Sequence, residues 1–256
     1  MTDDGAELVS LDGVGFAFCD RDKRTHVLEE ISFSIREGEI CSIIGRSGIG
    51  KSTLLRIIAG HLNPLSGTVQ LPDVARGRIP VLFHPQEALL IPWYSVARNA
   101  EVGLRFTGLA PTMPLETLFR ELELESLEER HPARLSGGQV ERAALARTLL
   151  TPAAVYLLDE PLSGTDYPLR IRVETFLTAF IAKRRCAAAI VTHDVPQAVA
   201  VSDMIQILAR RASGASATRI DLPSELRALP PIERRSSREF GPFVQHVVDQ
   251  LGETVQ

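Results

Sequence analysis

The stretch GRSGIGKS, residues 45–52, decides the fold of this chain. It fits the pattern G-x-x-x-x-G-K-[S/T], in which glycines let successive backbone N–H groups turn toward phosphate oxygens. The pattern needs a buried strand before it and a helix after it. Both are predicted here, because residues 39–44 form a short apolar run and residues 52–59 continue with helical periodicity. The segment therefore predicts a phosphate-binding loop, which alone indicates only a nucleoside triphosphate ligand.

Within this loop, two side chains have separate chemical tasks. Lys51 is predicted to reach the β- and γ-phosphates, and the hydroxyl of Ser52 is predicted to ligate Mg²⁺. Mg²⁺ suits such a site because it keeps several waters and takes few protein oxygens beside the phosphates. The predicted nucleotide-binding residues of the segment are Gly45, Arg46, Ser47, Gly48, Ile49, Gly50, Lys51, Ser52 and Thr53.

A pair of carboxylates follows a second buried strand. Residues 155–158 are apolar, and Asp159 and Glu160 come directly after them. Ligands of open α/β sheets bind at the ends of the strands, so Asp159 is predicted to hold Mg²⁺. Glu160 is predicted to orient or deprotonate the water that attacks the γ-phosphate. A helix cap is the structural alternative, but two adjacent carboxylates in a chain with a phosphate loop favour the catalytic interpretation.

Short apolar strands alternate with helices along most of the chain. Further strands are predicted at residues 27–35, 79–83, 188–192 and 204–208, and helices at 140–150, 169–185 and 195–201. Such alternation predicts an α/β fold whose mainly parallel sheet is covered on both faces.

One segment interrupts this alternation. Residues 87–134 contain no convincing strand, and helical stretches are predicted at 96–106 and 114–127. We interpret the segment as a helical subdomain inserted into a single domain, whose core comprises residues 1–86 and 135–222. Residues 223–256 form a short C-terminal tail that ends in a helix at 240–251.

Composition limits the partners of the chain. The formal net charge is -4, which argues against a nucleic-acid partner bound by broad charge attraction. No apolar run approaches the roughly 18 to 20 residues that span a bilayer, so membrane work would go through a partner.

The third motif is LSGGQ, residues 135–139, at the start of a predicted helix. Backbone N–H groups of Gly137 and Gly138 are available there to an anion, and Ser136 adds a hydroxyl. With this motif between the other two, the chain resembles the ATP-binding cassette (ABC) ATPases over nearly all its length. The resemblance implies a P-loop NTPase fold with an N-terminal antiparallel β part, ATP and Mg²⁺ as ligands, and ATP hydrolysis.

The resemblance also implies roles for single residues. Gln86 matches the Q-loop glutamine that contacts Mg²⁺ and water, and Asp166 matches the D-loop aspartate. His193 matches the switch histidine that contacts the γ-phosphate. Phe18 stands where the family often has a tyrosine that stacks on adenine. A core role for Phe18 or Phe16 remains the alternative.

The family's mechanism needs two such domains placed head to tail. The signature residues of one protomer, Ser136, Gly137, Gly138 and Gln139, would cover the γ-phosphate held by Lys51 of the other. A homodimer, or a pair with a second ABC subunit, would therefore close on ATP and open after hydrolysis. Two dipeptides depart from the usual pattern, His84-Pro85 before Gln86 and Gly164-Thr165 in the D-loop.

A longer segment points to one subgroup of the family. QEALLIPW, residues 86–93, is similar to the Q-E-x-x-L-L-P-W segment of importers for nitrate, sulfonates and taurine. In that group, this region helps form the groove that receives a helix of the membrane subunit. Core filling is the alternative for Trp93. The tail residues 221–223 and 235–240 also resemble the C-terminus of that group.

The resemblance thus implies an ATP-hydrolysing subunit of an importer for a small solute. It would lie at the cytoplasmic face of the bacterial cell membrane and bind integral-membrane permease subunits. A solute-binding protein would join through the complex. A soluble non-transport ABC ATPase and an exporter subunit are the alternatives, and the transported solute is not encoded in this chain.

Overall fold

The computed structural model describes residues 5–20, 23–73, 77–211 and 214–253. Within these ranges, nine strands form a single mixed sheet. The strands are β1 (Glu7–Asp20), β2 (Lys23–Arg36), β3 (Ile40–Gly45), β4 (Ser66–Gln70), β5 (Ile79–His84), β6 (Ala153–Asp159), β7 (Ala187–Val191), β8 (Met204–Arg211) and β9 (Gly214–Asp221).

Helices connect and cover these strands. They are α1 (Lys51–Ile58), α2 (Val96–Ala100), α3 (Val102–Thr107), α4 (Leu115–Glu121), α5 (Gly137–Leu150), α6 (Tyr167–Arg184), α7 (Val195–Val201), α8 (Ser224–Arg227), α9 (Pro231–Ser236) and α10 (Phe240–Glu253), with a 3₁₀ turn at Pro132–Arg134. In the described part of the chain, none combines the length and apolar content needed to cross a bilayer.

The sheet has a parallel part and an antiparallel part. Its strand order is β4-β1-β2-β9-β8-β3-β7-β6-β5. All neighbours from β8 to β5 run parallel, whereas β8 pairs with β9, and β1 with β2 and β4, in antiparallel fashion. The predicted α/β fold, a mainly parallel sheet with an antiparallel N-terminal part, is confirmed.

Both faces of the parallel part are buried. Successive side chains of a strand point to opposite faces, so Tyr156 and Leu158 of β6 pack with α5 and α6. Val155 and Leu157 pack on the other face with Leu54 and Leu55 of α1. This double burial explains why β6 is one continuous apolar run. Because β3, β6 and β7 run parallel, their carboxyl ends, where the site residues lie, share one edge of the sheet.

Residues 87–134 contain α2, α3, α4 and the 3₁₀ turn, and no strand. The helix predicted at 96–106 is divided at Glu101 into two short helices. The helix predicted at 114–127 ends at Glu121, because Glu123 and Ser126 have positive φ angles of 49° and 65°. That this segment is an inserted subdomain stays a prediction.

Candidate functional site

The phosphate-binding loop has the backbone that its glycines predict. Gly45 ends β3 with φ 153°, and Gly50 precedes α1 with φ 116°. A Cβ atom on Gly45 would lie 2.6 Å from the carbonyl oxygen of Leu208, and one on Gly50 would lie 2.8 Å from Val27 Cγ1. Both positions therefore require glycine for conformation and for space.

Lys51, the first residue of α1, folds back over this loop. Its ammonium group donates to the carbonyl oxygens of Gly45 (2.9 Å) and Arg46 (3.1 Å), and the residue is buried. Burial lowers the pKa of Lys51, while the nearby carboxylates of Glu160 and Asp159 act to raise it. The structure thus holds this cation at the loop, beside both predicted acidic residues.

Asp159 ends β6 as a buried carboxylate, only 3% exposed. Its Oδ1 atom is buried without a hydrogen-bond partner. Burial raises the pKa of Asp159, and the Ser52 hydroxyl, a hydrogen-bonding neighbour, lowers it, as do the cations Arg56 and Lys51. An unpartnered buried carboxylate oxygen is costly, and a bound cation would satisfy it. Ser52 and Asp159 therefore fit the Mg²⁺ site that the sequence predicts.

Glu160 and His193 meet at the ends of neighbouring strands. Asp159 of β6 lies opposite Val191 of β7, and the N–H of Glu160 donates to the Val191 carbonyl at 3.0 Å. Glu160 has a positive φ of 49°, an uncommon conformation that occurs at functional sites. His193 Nδ1 lies 3.3 Å from Glu160 Oε2. Two site residues predicted 33 positions apart are thus in contact.

The backbone on both sides of His193 is fixed by side chains. The Thr192 hydroxyl donates to Gln197 Oε1 at 2.6 Å and accepts from the Asp194 N–H at 3.1 Å. Asp194 caps α7 by accepting from the Gln197 N–H at 2.9 Å, and Arg170 donates to its other oxygen at 2.9 Å. Sequence reasoning missed these positioning residues, although Asp194 followed by Gln197 is a capping-box pattern.

The signature segment begins α5 with a capping box. The N–H of Gln139 donates to Ser136 Oγ at 3.4 Å, and the N–H of Ser136 donates to Gln139 Oε1 at 3.0 Å. This pair satisfies backbone groups at the helix start and orients the segment. Gly137 has open space at its Cα, since an added Cβ would meet nothing within 4 Å.

The D-loop packs directly on α5. Glu141 Oε2 accepts from the N–H of Gly164 at 2.7 Å, and Ser163 donates to Oε1 at 3.4 Å. A Cβ on Gly164 would lie 2.7 Å from Glu141 Oε1, so a larger residue at this position would displace that carboxylate. Asp166 is exposed and caps α6 by accepting from the Leu169 N–H at 3.3 Å.

Gln86 lies exposed just after β5, beside a buried histidine. His84 Nδ1 lies 2.9 Å from the hydroxyl of Thr148, which itself donates to the Ala144 carbonyl. The ring therefore donates to Thr148. Burial lowers the pKa of His84 to about 4, and Arg147 contributes. At this position, which departs from the usual pattern, His84 supplies a neutral, hydrogen-bonded ring that anchors the start of the Q-loop.

Side-chain hydrogen bonds hold the backbone of the segment after Gln86, and large apolar side chains lie on its surface. Arg147 donates to the carbonyls of Leu89 (2.8 Å) and Ala88 (2.9 Å). The buried Asn99 side chain accepts from the Ile91 N–H and donates to three carbonyls of residues 91–95. Trp93 is 73% exposed, so core filling does not describe it.

Phe18 also lies at the surface. It is 50% exposed and packs edge-to-face on the buried Phe16, with ring centroids 5.0 Å apart. Its strand partner Thr25 lines a small recess together with Gly48 and Ile49 of the phosphate loop. An exposed aromatic face at this place suits the predicted stacking on adenine.

Comparison with known families identifies the chain. The family model described as "ABC transporter" matches residues 28–163, more than half of the sequence. The chain belongs to the ABC transporter family. The predicted resemblance is confirmed, and with it the ATP-binding, ATP-hydrolysing activity of an ABC ATPase.

Curated relatives of this ABC ATPase include import proteins. It is 38% identical over 229 residues to the aliphatic sulfonates import ATP-binding protein SsuB 1 of Agrobacterium fabrum, covering 88% of this chain and 78% of the relative. The protein of that name in Shouchella clausii is 35% identical over 245 residues, with coverage of 95% and 91%. The uncharacterized ABC transporter ATP-binding protein YtlC of Bacillus subtilis is 33% identical, covering 90% of each chain.

Solved structures agree with the fold of this ABC ATPase. A dimeric post-hydrolysis state of the ATP-binding cassette MJ0796, bound to ADP and Pi, superposes with a TM-score of 0.74 at 26% identity. The match covers 85% of this chain and all of that one. This similarity confirms the predicted cassette fold.

Proposed function

We propose that this chain is the ATP-hydrolysing subunit of an importer for aliphatic sulfonates or a related small anion. It would work at the cytoplasmic face of the bacterial cell membrane. The names of its relatives support the solute class, because the alignments with these relatives span most of this chain. The observation that carries the transport role is the rigid, exposed loop of residues 88–93, with Trp93 at its surface.

Hydrolysis is assigned mainly to the residues at the carboxyl ends of β3, β6 and β7. Lys51 and the loop N–H groups would bind the phosphates, and Ser52 and Asp159 would hold Mg²⁺, which would supply neutralisation of the phosphate charge. Glu160 would accept a proton from the attacking water. The oxygen of that water bonds to the γ-phosphorus, and ADP leaves. His193, in contact with Glu160, orients that carboxylate and meets the γ-phosphate. Gln86 would contact Mg²⁺ and water from the exposed start of its loop.

A second protomer completes each site in this proposal. Ser136 and the glycine N–H groups at the start of α5 would cover the γ-phosphate bound by the other copy. Asp166 and its loop, which Glu141 holds against α5, would lie at the same dimer boundary. Phe18 would stack on adenine. The dimer is a homodimer or a pair with a second ABC subunit.

The membrane partner would meet the loop that follows Gln86. Its exposed apolar side chains, Leu89 (63%) and Trp93 (73%), stand on a backbone that Arg147 and Asn99 hold in place. An exposed apolar surface on a pinned backbone suits a helix of an integral-membrane permease. The solute-binding protein would join through that permease, and nucleic acid has no role.

The test is capture of partners from native membranes. Tagged Glu160→Gln protein, loaded with ATP to hold the closed dimer, is incubated with detergent-solubilised membranes, and partners are identified by mass spectrometry. A multi-span permease and a solute-binding protein are expected. The Trp93→Ser variant in the same background should recover at least about tenfold less permease, which is equivalent to a loss of about 1.4 kcal/mol in binding free energy. Ile232→Ser, which changes another exposed apolar residue (55%) in the tail, should lose none.

Two results would overturn the transport claim. One is recovery of soluble or nucleic-acid-associated partners alone. The other is equal permease recovery by the Trp93 and Ile232 variants. If the permease system is recovered, titration of its binding protein with an aliphatic sulfonate tests the solute class.

A further inference from the structure

A buried ion pair joins the C-terminal tail to the centre of the molecule. Arg235 of α9 donates to Glu174 Oε2 of α6 at 2.6 Å. The side chain of Glu174 is 1% exposed and that of Arg235 is 12% exposed. The ring of Phe240 lies 5.8 Å from the Arg235 guanidinium. The pair thus connects the tail to a carboxylate far from solvent.

Glu174 faces α7 as well as the tail. Burial raises its pKa, while Arg235, then Gln197 as a hydrogen-bonding neighbour, and Arg170 lower it. The second carboxylate oxygen, Oε1, is buried without a hydrogen-bond partner. Gln197 in turn accepts from the Thr192 hydroxyl at 2.6 Å and donates its N–H to Asp194. Glu174 lies one helical turn beyond Arg170 on α6, and Arg170 donates to Asp194 at 2.9 Å. Helix α6 therefore links the ion pair of the tail to a residue that flanks His193.

The tail has a second attachment that does not involve this path. Arg234 is buried and donates to the carbonyls of Ser202 (2.6 Å), Leu229 (2.7 Å) and Arg227 (3.0 Å). The bond to Ser202 joins α9 to the end of α7, and the other two bonds lie within the tail. Changing Arg235 alone should therefore leave the tail docked.

Stability alone does not account for a buried ion pair. Apolar residues of similar volume often stabilise a protein as well as such a pair does, or better. The position of the Arg235–Glu174 pair on α6, one turn from Arg170, supplies a different reason. We propose that Arg235 and Glu174 are positioning residues, through which the C-terminal tail fixes α6, the bond of Arg170 to Asp194 and thereby the contact of His193 with Glu160. This inference rests on the proposed roles of His193 and Glu160 in hydrolysis.

The experiment separates positioning from stability. The variants are Arg235→Met, Arg235→Lys and the double variant Arg235→Met/Glu174→Leu, with the exposed tail residue Arg238→Met as the matched control. Steady-state ATPase kcat, KM for ATP, Tm and the ¹⁵N imidazole signal of His193 are measured in the full chain. Arg235→Met should lower kcat about tenfold with KM changed less than about twofold, because misplacement affects the reacting geometry rather than ATP binding.

The other variants sharpen this result. Arg235→Lys keeps the charge and should recover part of kcat. The double variant removes the unpaired buried carboxylate, so it should recover Tm while kcat stays low and the His193 signal stays shifted. Arg238→Met should match the wild-type protein in all four measurements.

Three outcomes would overturn the proposal: an unshifted His193 signal in Arg235→Met, a kcat equal to that of Arg238→Met, or recovery of kcat together with Tm in the double variant. Failure of the proposed catalytic site would give a different result. Glu160→Gln would then hydrolyse ATP at the wild-type rate, whereas the His193 signal would still report on the tail.

Discussion

At the scale of single residues, the unusual positions of this site have local physical reasons. Gly164 leaves room for the Glu141 carboxylate, and His84 occupies a buried place where its ring donates to Thr148. Asp159 has an unpartnered oxygen where a cation is needed. Gly164 and His84 are therefore each explained by one neighbour, whereas nothing in the structure explains Pro85 or Thr165.

The buried His84 predicts a pH dependence of stability. Its pKa is about 4 in the folded protein and 6.5 when exposed, so the folded state favours the neutral ring. The stabilisation is complete above pH 6.5 and is lost as the pH falls toward 4, because the unfolded chain takes up the proton first. His84→Asn keeps a donor for Thr148 and removes this titration.

Urea unfolding at pH 7, 6, 5 and 4 checks this expectation. Between pH 7 and 4, the free energy of unfolding should fall by about 3 kcal/mol more in the wild-type protein than in His84→Asn. Carboxylates titrate in both proteins and cancel in the comparison. Parallel pH curves for the two proteins would show that His84 does not carry this dependence.

At the scale of elements, the site depends on how α5 meets the D-loop. Glu141 binds the backbone of Gly164, and Gly138 faces the same residue closely. The start of α5 and residues 163–166 therefore form one packed unit. A change at their contact should affect the protomer even before any dimer forms.

The two signature glycines should differ in the isolated protomer. A Cβ on Gly138 would lie 2.8 Å from the Gly164 carbonyl oxygen, whereas a Cβ on Gly137 has open space. Gly138→Ala should lower the free energy of unfolding by about 1–3 kcal/mol through overpacking. Gly137→Ala, the matched control, should be neutral or raise it by up to about 1 kcal/mol, since alanine favours helix.

Denaturant titration of both variants without nucleotide measures this difference. Equal losses of unfolding free energy in the two variants would mean that the D-loop moves aside freely. The packing of the D-loop on α5 would then not constrain the residue at position 138.

At the scale of the whole molecule, each protomer presents parts of a site on separate elements. The phosphate loop lies between β3 and α1, whereas the signature begins α5 and packs on the D-loop. His193 is 69% exposed although it contacts Glu160, so one side of the catalytic pair is open. A second protomer placed on this face is what the proposed mechanism requires.

ATP should therefore control the oligomeric state. With ATP and Mg²⁺, Glu160→Gln protein is expected to sediment as a dimer, because it binds nucleotide without completing hydrolysis. The double variant Lys51→Met/Glu160→Gln should remain monomeric, since it lacks the phosphate-binding cation. Analytical ultracentrifugation with and without ATP measures this. A mass independent of ATP, or a dimer formed equally by both variants, would contradict the head-to-tail mechanism.

The sequence by itself determined the local parts of this protein. The loop at 45–52 and the capping box at 136–139 each depend on backbone conformation and hydrogen bonds within a few residues. Such requirements are written in residue types and spacing. The strands that line the site were also predictable, since double burial makes each one a continuous apolar run.

Less regular elements escaped prediction because their pattern is weak. Strand β4 is largely exposed, and β9 alternates only partly between buried and exposed residues. Apolar periodicity therefore could not locate either strand. Strand β4 forms one edge of the sheet only through its pairing with β1, which in turn pairs with β2. The early end of α4 likewise follows from two positive φ angles that no residue type there demands.

Only the tertiary structure decided which distant residues meet. Strand β3 lies between β7 and β8, and β6 lies beside β7, so Glu160 reaches His193. The packing of α9 on α6 brings Arg235 to Glu174, 61 positions away. Strand order and helix docking set these contacts through burial of apolar faces that many residues share. For this reason, the motifs identify the chemistry, but only the fold shows which residues hold it in place.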